Sequence, residues 1–331
     1  MKAAIIALVL AAFPLPALAN GAISEFPAGG VEFLQSADIA IAREDLYLSL
    51  NEVRVHYDYR SDAAASQHVT IGFPMPPVPI DGGPDQLGGS LNVDENDPLN
   101  YMLFRASVNG VPVKTQLHEY AWFNGVNITE ELTKAGIPLY LPYDQANEIL
   151  AKVDKATLDG FVERGLIYRD AYGELSEPFW QYQAVYEWEQ DFAPGVTAVD
   201  ISYVPLTGYP GDILDYYEVD PDGLYCVDDG VRSVIADHRA KEIGYEVQTL
   251  SYILTTAKYW KGSIGEFNLI VDKEEPDPDN GITGAVLSYC GMRQAEETDK
   301  EFRWSAKDFV PNKDITVVWY AFYDFGEDVE D

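Results

Sequence analysis

Cysteine, histidine and methionine are scarce in this 331-residue chain: two, four and four residues. Two cysteines cannot build a disulfide framework or a four-thiolate metal site. His56, His68, His118 and His238 show no spacing typical of a zinc pair, and His118-Glu119 lacks the second histidine of an H-E-x-x-H helix. Glycine patterns are missing too: there is no G-x-S-x-G elbow, no phosphate-binding P-loop and no G-x-G-x-x-G turn. Basic residues are few, 22 Lys and Arg against 55 Asp and Glu, a formal charge of −33. A chain so acidic repels nucleic acid and anionic membrane surfaces, so neither is an expected partner. No apolar run reaches the length of a membrane-spanning helix.

What is present begins with an address. Lys2 precedes the uncharged run Ala3–Ala12, Pro14 and Pro16 break it, and Ala17-Leu18-Ala19 has the small-x-small pattern of a cleavage site. Residues 1–19 are therefore expected to be a signal peptide, with a mature chain from Asn20 in the periplasm or medium. No cysteine follows that site, which argues against a lipid anchor and leaves a soluble protein rather than an integral membrane one.

Aromatic residues make up 13% of the chain, including 22 Tyr, and favour sheet over helix bundle. Leu46, Leu48 and Leu50, then Val53, Val55, Tyr57 and Tyr59, recur at every second position with Arg54, His56, Asp58 and Arg60 between them. This predicts an antiparallel pair with one buried face. His56 falls on the polar face. Val69, Ile71 and Phe73 are expected to extend the same sheet as far as Pro74. Asn109-Gly110, between two alternating runs, predicts a type I′ hairpin. The Gly-, Pro- and Asp-rich stretch 78–100 reads as a surface loop.

The period changes to helical after Asn127. Asn127 with Glu130, Asp144 and Asp154 are the expected caps of three helices, the last closed by Gly165. The expected layout is a β segment over 20–126, a helical insertion over 127–170 and a second β segment over 171–331 completing the same fold. The expected fold class is mainly β, with antiparallel sandwich-like sheets and a helical insertion. The run Tyr252–Val271 reads as two neighbouring strands around Trp260-Lys-Gly-Ser-Ile-Gly265.

Three sets of residues are candidates for function. Trp180, Tyr182, Tyr186 and Trp188 share a strand face that could stack on sugar rings or simply face the core. Glu218, Asp220, Asp222 and Asp229 stand at positions one, three, five and twelve of an EF-like loop with Gly223 at six, a possible calcium site against the alternative of a solvated acidic turn. Cys226 and Cys290 are the only cysteines, and an exported chain is expected to join them. No other cofactor is indicated, and the expected partner is an envelope protein or a glycan.

Several short motifs carry a resemblance: Gly29-Gly-Val-Glu-Phe33, Glu44-Asp-Leu-Tyr47, Phe73-Pro-Met-Pro76, Tyr225-Cys226, Tyr252-Ile-Leu-Thr-Thr-Ala257, Trp260-Lys-Gly-Ser-Ile-Gly-Glu-Phe267 and Ser288-Tyr-Cys290. With these the chain resembles an uncharacterised family of exported bacterial proteins, domain of unknown function 4424. The resemblance implies an exported β-rich fold with a cysteine pair, and no reaction. The functional expectation is a non-enzymatic envelope protein that binds a ligand or partner. The alternative is a periplasmic hydrolase acting on polysaccharide through two carboxylates, which 55 acidic residues leave unlocated.

Overall fold

A computed structural model describes residues 21–25, 32–80, 87–88, 100, 102–141, 143–170, 175–205, 207–208, 226–274, 282–289 and 295–323. The fold is mainly β. Its centre is an eight-stranded sheet in the order Glu296–Glu297, Glu301–Phe309, Ile264–Asp272, Ile39–Leu48, Val53–Ser61, Gly195–Tyr203, Arg105–Val108, Val111–Pro112. The 39–48 and 264–272 strands run parallel, the one such pairing among the described residues. A seven-stranded sheet is built around Gln116–Phe123, Gln181–Phe192 and Gln67–Pro74. A five-stranded sheet is built around Ile282–Tyr289, Ile315–Tyr323 and Gly244–Tyr252.

The expected hairpin forms, with Leu48 opposite Val53 and Leu46 opposite Val55. The register slips between Ile41 and Arg43. That bulge changes the phase of the alternation, so Ile39 and Ile41 on one side of it and Glu44, Leu46 and Leu48 on the other all face inward. It also carries the carbonyl of Ala42 against the neighbouring strand. A side chain on Gly265 would put its Cβ 2.6 Å from that oxygen, so the parallel seam admits only glycine there.

The inner face of the central sheet is covered by both other sheets. Toward the seven-stranded sheet, the Phe104 ring stacks on Tyr186 with centroids 4.1 Å apart, and Tyr59 meets Phe192 at 5.4 Å. Toward the five-stranded sheet, the hydroxyls of Tyr57 and Tyr252 are 2.8 Å apart, and Trp319 Nε1 donates to the Asp272 carbonyl at 3.1 Å. Glu44 lies wholly buried beside this tyrosine pair, and burial pushes both phenols well above their ordinary pKa.

Helices Thr129–Ala135, Tyr143–Leu150 and Lys155–Glu163 occupy the expected region. Asp154 caps the third, accepting from Thr157 N at 3.0 Å. The first starts later than the cap pattern suggests: Asn127 Oδ1 accepts from Thr129 N, but the residue ahead of the helix is Ile128. Asp144 lies inside its helix rather than ahead of it.

Three other expectations are corrected. The 252–271 run does not form neighbouring strands. The 244–252 strand ends at Tyr252, a 3-10 turn spans Thr255–Tyr259, and the 264–272 strand joins a different sheet. Val69, Ile71 and Phe73 belong to the seven-stranded sheet, not to the hairpin's sheet. Past Asn109-Gly110 the return strand stops at Pro112 and the chain crosses to the other sheet at Gln116. A fourth helix among the described residues, Asp229–Arg239, is added to the three expected. Asp228 caps it, and Val231 and Ile235 cover Val318, Tyr320 and Phe322.

Candidate functional site

The outer face of the central sheet carries the polar half of the alternation, and strand register sets its side chains in lines. Asn268, Asp45, His56, Asp200 and Ser107 stand in one row across five strands. Ile270, Tyr47, Arg54, Ser202 and Arg105 make the next row, about 7 Å further along the strands. An open groove of about 1360 Å³ runs over these rows, walled by Asn100 and by Pro112–Thr115.

Most of the floor is internally matched. His56 Nδ1 is 2.7 Å from Asp200, and its Nε2 is 3.5 Å from Asp58. Burial works to lower its pKa, but the bond to Asp200 and the charges of Asp200, Asp58 and Asp45 outweigh it, so the net shift is upward. Asp45 accepts from Asn268 at 2.7 Å and from Arg43 at 2.8 Å. The Arg54 guanidinium lies 4.1 Å over the Tyr47 ring and reaches Glu52 at 3.1 Å. Burial, and then a 2.7 Å bond to Asp272, push the Tyr47 hydroxyl up to about 12.

The sign of the His56 shift gives a prediction. A folded-state pKa above the unfolded value of about 6.5 means the pair stabilises fully below that value and stops doing so as pH rises through the folded one. His56→Gln should therefore lower the melting temperature more at pH 5.5 than at pH 8.5. A loss confined to pH 8.5 would reverse the assignment.

The residues singled out by sequence lie elsewhere. Trp180, Tyr182, Tyr186 and Trp188 are all buried, at 1, 1, 2 and 4% exposure. Their row runs under the helices, where Trp180 Nε1 donates to the Leu139 carbonyl at 2.7 Å, and onto the inner face at Tyr186. Their burial fits the core-facing alternative. Asp229 is the first residue of the fourth helix, whereas Glu218, Asp220 and Asp222 lie outside the described residues. Among the described residues no three or more His, Cys, Asp or Glu side chains are grouped to hold a metal ion. Cys226 stands just ahead of the fourth helix with φ 54°, and Cys290 lies outside the described residues, as does most of 78–100. Among the described residues no helix is long and apolar enough to cross a membrane.

The polar row Arg54, His56 and Asp58 was visible in sequence as the solvated side of a strand. What was not visible is that Gly195–Tyr203 and Ile264–Asp272 line up beside it, which is a property of the sheet order.

A family model described as domain of unknown function (DUF4424) matches residues 19–318. The chain belongs to this family. No curated protein matches this DUF4424 chain. Among solved structures it is similar to a protein described as a putative nutrient binding protein from Legionella pneumophila, at 14% identity and a TM-score of 0.41, over 92% of this chain and 73% of that one. It is also similar to an M1 zinc metallopeptidase from Deinococcus radiodurans, at 9% identity and a TM-score of 0.28, over 86% of the DUF4424 chain and 43% of the metallopeptidase. Likenesses at these scores do not bear on its function.

Proposed function

We propose that the chain is an exported cell-envelope protein that binds a small polar ligand, without reaction, in the groove on the outer face of the central sheet. The supporting observation is the groove itself: a concave face lined by hydrogen-bonding side chains that the sheet register holds in fixed rows. Export rests on the 1–19 pattern. With it goes a Cys226–Cys290 bond, supported by Cys226 not being a free thiol. The hydrolase alternative gains nothing from the groove. Of the groove's carboxylates, Asp45 and Asp200 already hold Arg43, Asn268 and His56, and Glu52 and Glu266 accept from Arg54 and Asn268.

Intact and native mass spectrometry of protein recovered from the periplasm tests both halves of the proposal. The denatured mass should correspond to a chain starting at Asn20, and the native mass should include a small adduct. Ser202→Trp, which fills the middle of the groove floor from a half-exposed strand position, should abolish the adduct. A chain that retains Met1 and stays in the cytosol counts against export. The absence of an adduct, or one that survives Ser202→Trp, counts against the groove.

A further inference from the structure

Within that groove the charges are matched unevenly. Arg105 and Lys114 both line it, and among the described residues neither has an acidic partner within 4 Å, in a chain with 55 acids to offer. The register also brings their positions opposite one another. Ser107 pairs with Pro112, and Val113 N donates to the Ala106 carbonyl at 3.0 Å. Continuing that antiparallel register sets Lys114 opposite Arg105, on the same outer face. Like charges directly opposite on neighbouring strands repel. Arg54 stands in the Arg105 row with only Ser202 between them. Two cations thus meet at one end of the groove, beside the hydroxyls of Ser202 and Thr115, while Arg54 is held by Glu52 and leans over Tyr47 on the other side of its strand.

We propose that this end of the groove is an oxyanion subsite, and that the ligand presents a carboxylate or phosphate group to Arg105 and Lys114. The inference rests on the groove being a binding site. A guanidinium offers paired N–H groups that match a carboxylate or phosphate edge, and an ammonium adds a point charge beside it. The surrounding acidic surface would repel anions in general, so an anion is held only where these two cations converge. Repulsion between the two side chains in the empty groove is relieved when the anion arrives.

The test is thermal melting in sodium phosphate and in sodium succinate, each against sodium chloride at matched ionic strength. At saturating anion the wild-type protein should melt about 2–4 °C higher in at least one arm, and the larger arm identifies the group. Arg105→Gln and Lys114→Gln should each abolish the rise. Lys114→Glu converts the repelling pair into an attracting one, so it should raise the melting temperature in chloride alone and remove the anion response. An anion response that persists in all three variants overturns the subsite, and so does a fall in chloride on Lys114→Glu. If wild-type protein ignores both anions yet keeps an adduct that Ser202→Trp releases, the oxyanion assignment fails and the groove stands. If neither response nor adduct is seen, both fail.

Discussion

Trp260→Ala should lower the free energy of unfolding by about 3–5 kcal/mol, the range for removing a large aromatic from a packed core. Trp260 is 2% exposed and lies where three parts of the chain meet. Its ring centroid is 4.6 Å from that of Tyr59 in the central sheet and 5.8 Å from that of Phe192 in the seven-stranded sheet. Its Nε1 donates to the Gly21 carbonyl at 2.7 Å, anchoring the first described strand. Alanine would leave a cavity between two sheets that cannot close without moving both, and a carbonyl stripped of its donor. Trp260→Phe separates the two effects: it keeps most of the volume and should lose only about 1–2 kcal/mol for the missing bond. Urea unfolding followed by circular dichroism measures both variants. A midpoint for Trp260→Ala within error of wild type would show that the sheets are not held together at this residue.

Loss of the proposed Cys226–Cys290 bond should cost a similar amount. A closed loop of about 64 residues removes about 4 kcal/mol of chain entropy from the unfolded state on the loop-entropy account. That loop contains the fourth helix and the 244–252 and 264–272 strands, so it links material from two sheets. Cys226 holds a positive φ of 54° directly ahead of the helix, a local conformation that a crosslink helps to maintain. The expected result is a large fall in the urea midpoint of Cys226→Ser, matched by reductant on wild type and unaffected by reductant on the variant. Thiol labelling of denatured, unreduced protein from the periplasm should find no reactive groups. Two reactive thiols per chain would remove the bond from the account.

Local chemistry was readable in the sequence where local chemistry decides. The 46–59 alternation, the Asn109-Gly110 turn and the Asp154 cap each depend on residues within a few positions, and each appears as expected. The failures concern partners. Nothing between Tyr252 and Ile264 announces a change of sheet, because the strand pattern on either side would look the same in a hairpin. The fourth helix does carry a signal, the Asp228 cap followed by Val231, Val234 and Ile235 at helical spacing, but over only 11 residues. The aromatic row at 180–188 was legible as a face, but which side of the sheet it fronts depends on strands far away in the chain. The groove suffered most: its rows draw on strands from residues 43 to 270, and only sheet order makes them neighbours.

The parallel seam bears on timing. Asp45 and Asn268, bonded across it, are separated by 223 residues, and Gly21 and Trp260 by 239. Contacts this distant in sequence are slow to form, since a long loop must close before any of them is made. At ribosomal rates of about 5–20 residues per second, roughly 10–45 s pass between synthesis of the two sides of the seam. Throughout that interval the 39–48 strand has no partner on one flank, and the five-stranded sheet that covers part of the inner face is not yet complete. A chain that must be threaded across a membrane unfolded, as the proposed export requires, is thereby kept from folding too soon by its own strand order.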